Sequence, residues 1–401
     1  MQAEVVAVGS ELLLGQIIDT NSAVIARHLA SIGLNLFYKT TVGDNLARVT
    51  ATLRQALDRS DVVITTGGIG PTADDITREA VAAATGRELM FSEALMRQIE
   101  AYFASRGFTL SPSNRRQAYI PDGAIAVENP VGTAPAFIVE HGERTVITLP
   151  GVPREMEYLL VNRAVPYLRE RYGIKGEIRL RVLKVVGLGE SRVGELLSDF
   201  MVSTGNPTVG TVAHLGQVDV RIGAKGLDAA DAERLIEPCE AEIRARLGDA
   251  VFGADDQTLE GEVAKRLRAA GTRLALVEGG TAGVASERLA GLADLFGGSV
   301  VLSDAASAAR LGVSVNLTAE AEARARELAA AVARWADVSV GAAVWFEDIR
   351  DAVPPITRVA VAAVTPAGTA SREYRLGGDR PSMRIRAATL LLDHVRRALA
   401  H

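Results

Sequence analysis

Asp61-Val62-Val63-Ile64-Thr65-Thr66-Gly67-Gly68-Ile69-Gly70-Pro71-Thr72-Ala73-Asp74-Asp75-Ile76-Thr77 decides how the first half of this chain is read. A run of β-branched apolar residues that passes directly into glycines is a buried strand ending in a tight turn. The residues before it repeat the unit. Strands are expected at 4–8 and 34–41 and helices at 21–32 and 46–58, the first helix facing inward with Val24, Ile25, His28, Leu29 and Ile32. This strand–helix alternation predicts a mainly parallel sheet covered on both faces. Ligands of such sheets bind beyond the carboxyl ends of the strands. The Gly67 turn and the Gly9-Ser10-Glu11 turn after Val8 both fall there.

Past about residue 175 the pattern changes. Strands at 177–186 and 218–224, with helices at 191–201 and 229–247, describe a small α+β module. Polar Asp255-Asp256-Gln257 marks a boundary, and an alanine-rich segment follows. Its strands are expected at 274–277, 299–302, 338–344 and 358–364, with a helix at 320–335 whose charges read as a solvated face. The fold class is α/β: a three-layer α/β domain over 1–172, a small α+β linking domain over 173–254 and a C-terminal α/β domain over 255–401. A chain of 401 residues is too long for one core.

Composition excludes several functions. The net charge of −5 gives no electrostatic footprint for nucleic acid, and the few aromatics are not interleaved with basic residues, so direct nucleic-acid binding is not expected. Cys239 is the single cysteine, which rules out a disulfide framework or a cysteine zinc site and fits a reducing compartment. The start MQAEVVAVGSELL lacks the basic-then-apolar pattern of a signal peptide. No apolar run approaches the ~20 residues that cross a bilayer. A cytoplasmic protein with no membrane contact is expected. His28, His141, His214, His394 and His401 are scattered, and His28 reads as packed.

Five polar, glycine-bearing segments fall at the predicted sheet edge: 9–15 with Asp19-Thr20-Asn21, 43–45, 66–77, 129–135 and 149–156. Glycines let the backbone approach an anion and turn its N–H groups inward, and a following helix start adds a favourable dipole. Gly67, Gly68 and Gly70, with Ser10, Thr66, Gly132 and Thr133, are candidates to hold phosphate, and Asp44 and Asn45 to hold ribose or metal. Carboxylates beside phosphate-binding amides repel the ligand unless a cation bridges them. Asp74, Asp75 and Glu11 are therefore candidate catalytic residues, with Asp74 and Asp75 as metal ligands. Their hard oxygens suit Mg²⁺ or Mn²⁺, and metal-assisted attack of water on a pyrophosphate would use these parts. The alternative is that Asp74 and Asp75 merely cap the next helix.

The motifs VGSELLLGQIIDTNS, TTGGIGPTADDIT, NPVGTAPAF and LPGVPREM together resemble the N-terminal domain of the competence/damage-inducible CinA family, a relative of the molybdopterin-binding fold. Ala136 departs from the glycine usual after the proline. The resemblance implies ADP-ribose pyrophosphatase activity with Mg²⁺, Mn²⁺ or Co²⁺, giving AMP and ribose 5-phosphate. It also implies a homodimer and a link to competence and recombination proteins. A binding protein for nucleotide or pterin without turnover, or a scaffold in DNA uptake or repair, are its rivals.

The segment from about 255 is similar to the family's C-terminal nicotinamide-nucleotide amidase domain. That domain's pattern has a Glu-Ser-Cys-Thr-Gly-Gly turn, a Tyr-Ser-Asn-Glu-Ala-Lys helix start and a Thr-Gly-Ile-Ala-Gly-Pro loop, with serine as nucleophile and the lysine and tyrosine as its partners. Here Gly279 stands at the serine position, Leu302 at the tyrosine and Ser307 at the lysine. The third loop reads Ala343-Val344-Trp345-Phe346-Glu347-Asp348. A hydroxyl nucleophile requires an adjacent base, so amidase activity is expected to be lost. The scaffold positions Thr281, Gly283, Leu311-Gly312-Val313, Arg384 and Arg386 remain.

Overall fold

The computed structural model describes residues 1–203, 205–304, 306–312, 320–349 and 356–400. Contacts group the chain into two compact units, Met1–Arg179 with Ala224–Leu235, and Leu180–Gly223 with Ile236–His401.

The first unit begins with β1 (Gln2–Val8), the single turn α1 (Ser10–Leu13), α2 (Asn21–Ala30), β2 (Asn35–Val42), α3 (Leu46–Arg59) and β3 (Val62–Thr66). It continues through α4 (Thr77–Thr85), β4 (Leu89–Phe91), α5 (Glu93–Ser105), β5 (Tyr119–Pro121), β6 (Ile125–Val127), β7 (Ala136–His141), β8 (Arg144–Leu149), α6 (Pro153–Leu159) and α7 (Val165–Tyr172). Six strands form one sheet in the order β2-β1-β3-β8-β7-β6. The first four run parallel; β7 runs against them, and β6 pairs antiparallel with β7.

Strand alternation explains why β3 is apolar on both faces. Val6, Val8 and Val63 enter one core with Val49, Leu53 and Phe137. Ala3, Val5, Val62 and Ile64 enter a second with Ile25, Leu29 and Ile147. Burying each large aliphatic side chain contributes about 1.5–3 kcal/mol. Ala136 adds its methyl to this second core. Glu4 is the charged exception in β1, fully buried and held by Arg59 Nη2 at 2.7 Å and Thr40 Oγ1 at 2.9 Å. His28 differs from its expected packing: it is half-exposed, with Nε2 3.6 Å from Glu157 Oε1.

The parallel register aligns Ala7 with Thr66 and Thr66 with Leu149, so the turns after β1, β3 and β8 emerge on one edge. Because β7 runs the other way, the 129–135 loop before it reaches the same edge.

The following elements are β9 (Glu177–Val186), α8 (Glu190–Leu196), α9 (Ser198–Met201), β10 (Thr208–His214), β11 (Gln217–Gly226), α10 (Ala229–Leu247) and β12 (Val251–Ala254). Their strands make a sheet in the order β10-β11-β9-β12. The helix expected at 191–201 is interrupted at Leu197, whose φ of −117° leaves the helical region. Cys239 is buried in α10.

The remaining elements are α11 (Leu259–Ala269), β13 (Leu274–Gly279), α12 (Val284–Leu289), β14 (Phe296–Leu302), α13 (Ala321–Trp335), β15 (Val340–Ile349), β16 (Ile356–Thr365), β17 (Gly368–Gly377) and α14 (Arg380–Ala398). They build a sheet in the order β14-β13-β15-β16-β17, parallel across the first three strands and antiparallel after β15. The solvated face expected of α13 needs one correction. Arg324 is 2% exposed, with its guanidinium 5.3 Å from the centre of the Trp345 ring. Ala305, Val313 and His401 lie outside the described residues. No helix among the described residues is long and apolar enough to cross a membrane.

Candidate functional site

The turn after β3 can only be glycine at its first two positions. Gly67 and Gly68 have φ of 98° and 67°. A Cβ on Gly67 would fall 2.3 Å from the Val8 carbonyl oxygen, and one on Gly68 2.2 Å from Thr77 Oγ1. The carbonyls of the turn are occupied from the protein side. Thr77 Oγ1 donates to Gly67 O and Thr77 N to Gly68 O, both at 2.9 Å. Arg78, buried at the start of α4, donates to the carbonyls of Ile69 and Gly70. The amides of Gly68, Ile69 and Gly70 donate to no acceptor among the described residues. Buried and half-buried amides rarely stay unpaired, and three in succession on a glycine turn make a concavity for an anion.

This turn lines a cavity of about 440 Å³ that also includes Glu11, Asp19, Asn21, Asp44, Thr66, Asp74, Asp75, Gln117, Thr133 and Glu155. The volume falls within the ~300–1,000 Å³ of small-molecule sites. Thr66 ties the wall together, donating to Pro150 O at 3.0 Å and accepting from Asn21 Nδ2 at 3.0 Å. Among the described residues no lysine or arginine lines the cavity, whereas six of the lining residues are carboxylates.

Those carboxylates are held in different ways. Thr72 donates to Asp75 Oδ2 from its amide at 2.8 Å and its hydroxyl at 2.5 Å. Hydrogen bonding to the same threonine is the main reason the Asp74 carboxyl titrates below the ordinary range. Arg116 fastens this turn by donating to Thr72 O at 2.6 Å and to Glu79 Oε1 at 3.1 Å. Burial pushes the Asp19 carboxyl up, but bonds from Ser22 and Lys39 outweigh it and carry it below its usual value. For Glu155 burial prevails over its bonds to Asn129 and Ala134, and its carboxyl is raised.

At the far end of the chain the register sets Gly279 beside Leu302 of β14 and beside Trp345 of β15 in one row. A Cβ on Gly279 would lie 2.6 Å from Trp345 Cε3, and one on Gly280 within 2.4 Å of the Phe346 ring. Trp345 is 8% exposed and Leu302 5%. Ser307 donates from its amide and hydroxyl to Asp304 Oδ1, both at 2.8 Å. Glu278 is fully buried and accepts from Thr281 Oγ1 and from the amides of Ala285 and Ser286, which fixes the start of α12.

Three family models match consecutive parts of the chain: "Probable molybdopterin binding domain" over residues 4–170, "Damage-inducible protein CinA KH domain" over 180–253 and "CinA C-terminal domain" over 256–399. The chain is 37% identical over 410 residues to a "Putative competence-damage inducible protein" of Caldicellulosiruptor saccharolyticus, covering 100% of this chain and 99% of the relative. The chain belongs to the CinA family. A "CinA-like protein" of Kosmotoga olearia is 36% identical over 410 residues, with 100% and 99% covered. A crystal structure of a CinA protein from Thermoplasma acidophilum shares 37% identity, covers 42% of this chain and 97% of its own, and has a TM-score of 0.39.

Of the residues singled out in this CinA sequence, Glu11, Asp44, Thr66, Gly67, Gly68, Gly70, Asp74, Asp75 and Thr133 line the one cavity. Ser10, Asn45 and Gly132 are not among its lining residues. Ser10 is engaged with Asp44, its amide donating to Oδ2 at 2.7 Å. Asn45 caps α3, accepting from Arg48 N at 3.1 Å. Gly132 lies behind Glu155, whose carboxyl a Cβ there would strike at 1.9 Å. Asp19, Asn21, Gln117 and Glu155 were not assigned from sequence, although the DTN and PGVPRE motifs carry three of them.

The donor set bears on a metal. Among the described residues no three His, Cys, Asp or Glu side chains group closely enough to hold an ion alone. Asp74, Asp75 and Glu11 line the same cavity, so a hard cation there would take most of its ligands from phosphate oxygens and water, a mode that Mg²⁺ uses.

Proposed function

We propose that the N-terminal cavity hydrolyses the pyrophosphate of ADP-ribose or a related nucleoside diphosphate, giving AMP and ribose 5-phosphate. The observation that carries this reading is the Gly67–Gly70 turn, with occupied carbonyls and three unpaired amides facing a cavity rich in carboxylates. The amides of Gly68, Ile69 and Gly70 would hold phosphate oxygens. Asp74, Asp75 and Glu11 would hold a divalent cation, Mg²⁺, Mn²⁺ or Co²⁺, that supplies charge neutralisation on the phosphates. Without that cation the carboxylates would repel an anionic substrate. Cation affinity should therefore depend on nucleotide. The test is a panel of nucleoside diphosphates incubated with each metal and analysed for monophosphate products. No product from any combination would sink the hydrolase reading.

A binding role without turnover is the second reading, favoured by the tight engagement of Asp75 Oδ2 with Thr72, which braces the turn before α4 and caps no helix amide. Nucleotide binding with no product would select it. A scaffold role in competence or repair is suggested only by the names of the relatives, and capture of partner proteins would address it.

For the C-terminal domain we infer that amide hydrolysis is lost. The aromatic rings against Gly279 and Gly280 leave no room for a nucleophile there, and neither Leu302 nor Ser307 provides a base.

A further inference from the structure

Glu155 is a cavity carboxylate that the phosphate and metal assignments leave unused. It stands on the first turn of α6, against the 129–134 loop. Asn129 is fully buried and donates from Nδ2 to Glu155 Oε2 at 2.6 Å and to Ala134 O at 2.9 Å. Asn129 cannot swing away. Its backbone is bracketed by Gln98, which donates to Asn129 O at 2.7 Å and accepts from Asn129 N at 3.2 Å. Gly132 passes so close that only a residue without a side chain fits over the carboxyl.

The surroundings set this group apart from its neighbours. Lys39 pairs with Asp19 at 2.9 Å, and Asp44 and Asp75 accept from the turns around them. Glu155 has no ion-pair partner among the described residues. Arg154 on its own helix is the cation that acts on it. The 129–134 loop brings no charged side chain, and across the cavity stand Glu11, Asp19, Asp44, Asp74 and Asp75. Burial holds the Glu155 proton more tightly, while Asp19 and Asp74 stay ionised. Carboxylates whose environments push them apart divide the work of moving a proton and of staying charged.

We propose that Glu155 accepts the proton of the attacking water during pyrophosphate hydrolysis at this site, an inference that rests on the hydrolase reading above. The water oxygen bonds to one phosphorus as its proton passes to the Glu155 carboxylate. The bond from that phosphorus to the bridging oxygen breaks, and its electron pair stays on the departing phosphate. The proton then leaves Glu155 for that phosphate or for solvent.

The experiment measures kcat, KM and their pH dependence for ADP-ribose with Mg²⁺, together with AMP affinity and thermal melting, for the full chain and for Glu155→Gln and Glu155→Asp. Glu155→Gln should lower kcat by about 10²–10⁴-fold, leave AMP affinity within about threefold and remove the acid limb of the kcat–pH profile. In the wild type that limb rises with pH as Glu155 loses its proton, above the ordinary carboxylate range. Glu155→Asp should keep the limb at reduced kcat, and it decides the matter if the glutamine variant does not fold. An active wild type with Glu155→Gln equally active and its acid limb intact overturns this inference alone. A wild type without turnover on any substrate overturns it together with the hydrolase reading.

Discussion

At the end of β3 the chain runs Thr66-Gly67-Gly68, and at the end of β13 it runs Glu278-Gly279-Gly280. Each strand sits between two parallel neighbours, where ligands of such sheets are expected. The surroundings then diverge. Beside Gly67 the neighbouring strand continues into Pro150-Gly151, with the Gly151 Cβ position 3.3 Å from Gly67 Cα, and a cavity opens. Beside Gly279 the neighbour places Trp345 and then Phe346, and their rings take the space that the glycines leave. A pair of glycines at a strand end therefore permits a site without making one. The side chain on the next strand, remote in sequence, chooses between an open turn and a plugged one.

The comparison breaks most sharply at the open end. Gly67→Ala must push the Val8 carbonyl oxygen away from 2.3 Å while holding φ at 98°, so the turn would re-form and its three amides would move together. Losing one such donor typically costs about 10²–10³-fold, and ADP-ribose hydrolysis should fall by at least about 10³-fold. Steady-state turnover checks this; retained turnover would detach the glycine turn from the chemistry.

At the plugged end the expected effect is on stability. Trp345→Ala removes a nearly buried ring that packs on Gly279 and lies under Arg324. Emptying a site of that size costs about 3–5 kcal/mol. Urea unfolding monitored in the second unit should show that loss, while hydrolysis at the N-terminal cavity stays unchanged. A loss under about 1 kcal/mol would mean that the ring is an ornament on the sheet edge and not its filling.

Asp75 comes next. Asp75→Ala should reduce turnover about 10²-fold, while the lost hydrogen bonds from Thr72 lower stability by only about 0.5–3 kcal/mol. Turnover that follows the melting temperature and nothing else would leave Asp75 as a brace of its turn.

Sequence alone anticipated the α/β class and the mainly parallel character of the first sheet, since both follow from local apolar runs and the glycines that end them. It did not anticipate β17, whose Gly368–Gly377 segment carries alternating polar residues and is a strand because β16 pairs with it. Arg324 was read as solvated because helical spacing says nothing about which ring will lie beneath a guanidinium. Asn45 shows a legible signal left unused: asparagine three residues before Arg48, at the start of an amphipathic run, is a cap pattern. Glu155 is the opposite case. Its contacts with Asn129 and Gly132 come from a loop more than twenty residues away, so the PGVPRE motif puts it at the sheet edge without showing what holds its carboxyl.

Gly279→Ser is the smallest expected effect and the sharpest test of the plugged end. Serine puts a hydroxyl at the position that the family resemblance matches to the amidase nucleophile, but its Cβ must first displace a tryptophan carbon 2.6 Å away. Overpacking of that kind costs about 1–3 kcal/mol. The hydroxyl would also arrive without partners, because Leu302 has no polar group and the Ser307 hydroxyl is turned to Asp304. Residues that act as one catalytic unit do not restore a rate one at a time. Neither the wild type nor Gly279→Ser should release ammonia from nicotinamide mononucleotide above background. Ammonia from Gly279→Ser alone would show that Trp345 yields and that a base is nearby after all. Ammonia from the wild type would shift attention to Ser303, whose Oγ lies 3.2 Å from Ser307 Oγ and 3.4 Å from Asp304 Oδ2, and the plugged edge would be a working one.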